Sequence, residues 1–179
     1  FFGRPEYLES ALLLPIFILP LLAVFVVGEV TLRGKETLFI YKKTPSGVGR
    51  LVKARLLHGW LVVIPIAAAL TIISTVLSPQ ATLIAVLAIA GLVVLTVGAN
   101  VAFVLGLSLL NPAFSDKSAN YITNVMITMF VLPNGLFIIP LIVLRLPLPH
   151  TLCFVSIPLS WLVGIILVYL GKRKLDRIQ

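Results

Sequence analysis

The chain is 179 residues long, 60% hydrophobic and only 11% charged, with a mean hydropathy of +1.15. Soluble globular domains carry about 25% charged residues, so this composition excludes a soluble domain and describes an integral membrane protein. The net charge of +8 comes from basic residues between and after apolar runs. No continuous basic or basic-aromatic face would suit nucleic acid, whereas membrane insertion with the positive loops inside accounts for the placement.

In chain order, residues 1–10 form a short polar entry of mixed charge, and 8–28 read as the first membrane span. A bilayer core needs roughly 20 apolar residues, and this run supplies them, with Pro15 and Pro20 as expected kinks. A secretory signal fits poorly, because Glu6 and Glu9 stand where a basic region belongs and no small-residue cleavage site follows. The next stretch, Glu29 to His58, holds seven of the fourteen lysines and arginines. Within it, Glu36 to Lys43 places Leu38, Phe39, Tyr41 and the neighbouring basic residues on a short amphipathic helix, ended by Pro45-Ser46-Gly47. Ser46 is placed to cap a second helix that carries Arg50, Lys53 and Arg55 into the following span. By charge alone, the segment is a basic loop drawn to anionic lipid at about 1 kcal/mol per charge.

Residues 56–77 form the second expected span, with His58 at its entrance and Pro65 inside. No second ligand stands near His58, so it reads as an interfacial side chain rather than a metal ligand. Ser78-Pro79-Gln80 makes a minimal turn, so this span and the next form an antiparallel hairpin. Residues 81–110 contain thirty positions and no charge, which predicts a tilted or projecting helix. Gly91, Gly98, Ala99, Ala102 and Gly106 within it include small residues near helical spacing, which favour close helix packing. Asn100, its one strongly polar side chain, fits either an interhelical hydrogen bond or a pathway lining. After a polar loop at 111–120, the fourth expected span, 121–144, is interrupted by Pro133-Asn134-Gly135 and by Pro140. The last, 152–170, follows the proline-rich turn 145–151 and leads to a basic end at 171–179. Cys153, the single cysteine, excludes an intrachain disulfide.

Counting charge orients the five spans. With 29–55, the 111–120 loop and the C-terminus on the cytoplasmic side, twelve of the fourteen basic residues lie inside, leaving Arg4 and Arg145 outside. Catalytic constellations are absent from the sequence. It has no Gly-rich Lys-Ser/Thr phosphate loop, no deep intramembrane carboxylate or histidine of the kind that marks proton relays, and no residue set for a metal or a cofactor.

Three stretches carry a resemblance to a known family. Gly34-Lys35-Glu36-Thr37-Leu38, Lys43-Thr44-Pro45-Ser46 and Lys53-Ala54-Arg55 resemble the segment of type-2 ABC exporter permeases in which a polar-acidic stretch precedes a proline turn and a lysine opens the next span. The chain departs from that pattern at Phe39, where the family often has an acidic residue. The loop at 111–120, with Pro112, Phe114 and Asp116, is similar to a second family loop. The resemblance implies that the basic segment is a coupling helix docked on a separate ATP-hydrolysing subunit. Leu38, Phe39 and Tyr41 would fill that partner's groove, while Glu36 and Lys42 or Lys43 would pair at its rim. It also implies pairing with a second permease copy or a homologous permease, and a sixth span upstream of Phe1.

The expectation is thus an all-α polytopic membrane bundle, one transmembrane domain over 1–179 with five visible spans and a cytoplasmic coupling-type helix. It is not itself an enzyme, it contacts membrane lipid, and Asn100 and Asn134 are the candidates for its pathway. The alternative is a non-transporting scaffold or accessory subunit of a larger membrane complex.

Overall fold

A computed structural model describes residues 20–28, 47–76, 82–112, 119–131, 138 and 152–177. All regular structure among them is helical: α1 at 20–28, α2 at Gly47–Val76, α3 at Leu83–Leu110, α4 at Ala119–Phe130 and α5 at Ile157–Arg177. A π-helical turn, Leu152–Ser156, leads into α5. Pro158 has no N–H to give to the carbonyl of Phe154 and its ring crowds that carbonyl, so the entering turn widens.

Among the described residues three stretches, Gly47–Val76, Val86–Leu110 and Phe154–Leu175, are long and apolar enough to cross a bilayer, and they correspond to the second, third and fifth of the five expected spans. Of the expected fourth span, 121–144, the described residues are 121–131 and 138, and α4 covers Ala119–Phe130. Of the expected first span, only 20–28 lies within the described residues.

Helix α2 has 30 residues, about 45 Å, and runs through Pro65 unbroken. Its buried positions Gly59, Val63, Ala67, Thr71 and Thr75 recur every four residues, a single ridge laid against α3. The opposite side exposes Leu57, Leu61, Leu70, Ile73 and Val76. An apolar surface of that extent suits lipid tails rather than water. The hydroxyls on this buried ridge are satisfied within the helix: Thr71 Oγ1 donates to the Ala67 carbonyl at 2.7 Å and Thr75 Oγ1 to that of Thr71 at 2.7 Å.

Contacts set the helix directions. Gly59 on α2 meets Val101 on α3 and the indole of the next residue, Trp60, reaches back to Gly98, so these two helices run antiparallel. Along the α3–α5 seam, Gly98 meets Trp161, Gly106 meets Leu167 and Val168, and Leu109 meets Gly171. Residue numbers rise together there, so α3 and α5 run parallel. At α2 and α5, Trp60 meets Trp161 while Gly49 meets Lys172, an antiparallel pair. α3 is the central element. Val97, Ala99, Asn100, Val101 and Leu105 are all fully buried although they point in different directions around its axis. A helix apolar on every face belongs in the middle of a bundle.

Candidate functional site

The α3–α5 seam is built from absent side chains. A Cβ on Gly106 would stand 2.6 Å from the backbone carbon of Leu167, and one on Gly171 would stand 2.7 Å from the Cβ of Leu109. Gly164 faces Ala102 and the Ala99 carbonyl in the same way. Between membrane helices, where water exclusion supplies little drive, such close backbone approach is the main source of association.

Two tryptophans bracket this seam. Trp60 Nε1 donates to the Gly98 carbonyl at 3.1 Å, and Trp161 Nε1 donates to the Leu95 carbonyl at 3.1 Å. These carbonyls lie one turn apart on α3 and use their second lone pair. The two rings are tilted by 60° with centroids 6.0 Å apart, within the range of favourable edge-to-face pairing. α2 and α5 are thereby pinned to the same turn of α3. A Cβ on Gly98 would come within 2.9 Å of the Trp161 ring, so glycine is what admits the indole.

Asn100 lies on this same central stretch and is 0% exposed. Its side-chain amide makes no hydrogen bond through either nitrogen or oxygen. The interhelical hydrogen bond expected of it is therefore not made among the described residues. Thr96 on the same helix solves the equivalent problem by donating to the Leu92 carbonyl at 2.8 Å, but the Asn100 amide makes no such bond. An unpartnered amide in an apolar core costs on the order of 1–3 kcal/mol.

One end of the bundle is basic and tied together. It holds the start of α2 with Arg50 and Lys53, the end of α3, the start of α4 and the end of α5 with Lys172, Arg173 and Lys174. Lys174 Nζ donates to the Leu110 carbonyl at 2.6 Å, capping the last turn of α3 with the charge its dipole favours. Asn111 and Asn124 clasp α3 to α4: Asn111 Nδ2 donates to Asn124 Oδ1 at 3.1 Å, and Asn124 Nδ2 donates to the Asn111 carbonyl at 2.8 Å. Asn120 adds a bond to the Pro112 carbonyl at 3.1 Å. α1 ends beside the same corner, with Gly28 against the ring of Tyr121. Sequence reasoning missed the clasp. Its only signal was three asparagines flanking a helix break.

Glu36, Leu38, Phe39, Tyr41, Lys42 and Lys43, the expected ATPase-contact residues, lie outside the described residues, as does Asn134. Of the sequence candidates, Asn100 alone is placed. Among the described residues, no three His, Cys, Asp or Glu side chains gather where a metal ion could be held. No family model, curated protein or solved structure matches the chain.

Proposed function

We propose that this chain is the membrane-embedded permease subunit of an ATP-driven type-2 ABC transporter working as an exporter. ATP hydrolysis resides on a separate subunit, and a second permease copy or a homologous permease completes the assembly. In this reading the basic end of the bundle faces the cytoplasm, as the positive-inside rule requires. The basic segment 29–55, which resembles a coupling-helix segment, docks on the ATPase through Leu38, Phe39 and Tyr41, with Glu36, Lys42 and Lys43 at the rim.

The observation that carries this reading is the continuity of α2. It contains Arg50, Lys53 and Arg55, the last basic residues of that segment, and runs unbroken from there to Val76 against the central helix. A push on the segment would therefore reach Trp60 and, through its bond to Gly98, the middle of α3. Asn100 stands two residues further along α3, and we assign it to the transport pathway together with Asn134. A second reading, a non-transporting scaffold, draws on one fact: α3 is packed by apolar neighbours all round, with no polar channel beside it among the described residues.

Purification of the intact protein in mild detergent separates the two. Wild type should bring an ATPase subunit with it, and Leu38→Asp and Tyr41→Asp should each lose that partner, because a carboxylate buried in a docking groove is costly. Absence of an ATPase, or its survival in both variants, would overturn the exporter reading and leave the scaffold.

A further inference from the structure

Helices α2 and α5 touch at the tryptophan pair and again where Lys172 lies over Gly49. Between those points they stand apart, and a groove of about 400 Å³ opens on the side of the bundle, floored by Ala102 of α3. Its walls are apolar, with Leu56 on α2 and Ile165 and Val168 on α5. Trp60 and Trp161 close the inner end. Lys53 and Lys172 stand at the outer end, both exposed. Gly49 and Lys53 are one turn apart on one face of α2, so the Lys172 ammonium that reaches over Gly49 shares this mouth with Lys53.

We propose that the groove binds an anionic phospholipid, with the headgroup phosphate between Lys53 and Lys172 and an acyl chain laid toward the tryptophan pair. Several observations converge on that occupant. The polarity is graded along one axis, charged at the mouth and apolar below, which matches an amphiphile and not a small soluble anion. From Gly49 to Trp60 the groove runs along twelve residues of α2, about 16 Å of helix, enough for a headgroup and part of a chain. The mouth lies in the first two turns of a helix about 45 Å long, at headgroup depth when the apolar part is centred in a bilayer. Basic pockets between membrane helices take anionic headgroups for this reason. A zwitterionic lipid would fill the same volume without satisfying the two ammonium groups. The site is independent of any ATPase partner.

The two tryptophans of the chain both line the groove, so fluorescence quenching reads its occupancy directly. The full chain is reconstituted in bilayers with brominated-chain phosphatidylglycerol or brominated-chain phosphatidylcholine at equal low mole fraction. The anionic lipid should bind about 30-fold more tightly, which is about 2 kcal/mol from two lysines at the interface. Lys53→Gln with Lys172→Gln should bring the two lipids to parity at unchanged helicity. Arg173→Gln removes a charge at the same end outside the groove and should keep the preference. Equal quenching by the two lipids in wild type, or a preference surviving the double substitution, overturns the proposal. So does an Arg173→Gln loss as large as that of the double variant, which would reduce the effect to general surface potential. If neither lipid quenches, the groove is filled by a second copy or by another part of the chain, and the proposal also falls.

Discussion

Helix α5 presents two neighbouring faces that solve opposite problems. One face, with Gly164 and Gly171, closes onto Ala102, Gly106 and Leu109 of α3 until backbones touch. The adjacent face, with Ile165, Val168 and Lys172, stands off from α2 and leaves a groove. Trp161 sits where the two faces meet, hydrogen-bonded to α3 and stacked toward Trp60. Small residues seal an interface in lipid because they allow van der Waals contact along the whole crossing. Large residues at the other interface act as a wedge that fixes the helices at one level and parts them below it. The same helix is thus immobilised on one side and accessible on the other.

Breaking the sealed face should cost most. Gly106→Val places a branched side chain where even a Cβ lies 2.6 Å from Leu167 backbone, and backbone cannot turn aside as a side chain can. We expect a loss of about 3 kcal/mol or more, read as a lowered midpoint of unfolding in detergent micelles. Wild-type stability in that variant would mean that α3 and α5 are not in contact at this level.

Asn100→Leu tests the interior of the same seam in the other direction. It exchanges an unpartnered buried amide for an apolar side chain of similar volume and should raise stability by roughly 1–2 kcal/mol. If Asn100 serves the pathway, transport in reconstituted vesicles falls while stability rises. A destabilised variant would instead imply that the amide has a partner in the assembled transporter.

Trp161→Phe keeps most of the ring and removes the bond to the Leu95 carbonyl. About 1 kcal/mol should be lost, and the emission of Trp60 should shift as its neighbour changes. An unaltered unfolding midpoint would place the wedge function on the ring alone. The smallest effect is expected for Lys174→Met, which removes the cap from Leu110 while keeping the aliphatic stem. At an exposed helix end this should cost about 0.5 kcal/mol, detected as faster amide exchange at the end of α3 more readily than as a change in global stability.

The helices were legible to different degrees, and the residues say why. The apolar run 81–110 carries its own answer, since thirty uncharged residues have no alternative to a long helix in lipid, and α3 occupies Leu83–Leu110. The run 121–144 reads as an interrupted span, kinked or followed by a re-entrant element, because Pro133-Asn134-Gly135 and Pro140 fall within it. Helix α4 covers its first part up to Phe130, and both prolines lie outside the described residues. Of the α3 glycines read as packing positions, Gly98 and Gly106 are in close contact while Gly91 faces open space, and the partners of the first two were not recognisable. Gly106 against Leu167 joins residues about sixty positions apart, and nothing in a single sequence pairs them.

Composition and charge placement by themselves determined that this protein is helical, apolar enough for a membrane, and basic at the ends that gather together. Those properties follow from transfer free energies and local backbone preferences, which each residue carries wherever it sits. Which helix becomes the centre was decided only in three dimensions. By hydropathy α2, α3 and α5 are nearly alike, yet 67% of the most apolar stretch of α3 is buried in the bundle, against 22% for α2 and 28% for α5. Burial of one helix by the others depends on where small residues on different helices coincide. Both the isolation of Asn100 and the groove between α2 and α5 are consequences of that coincidence.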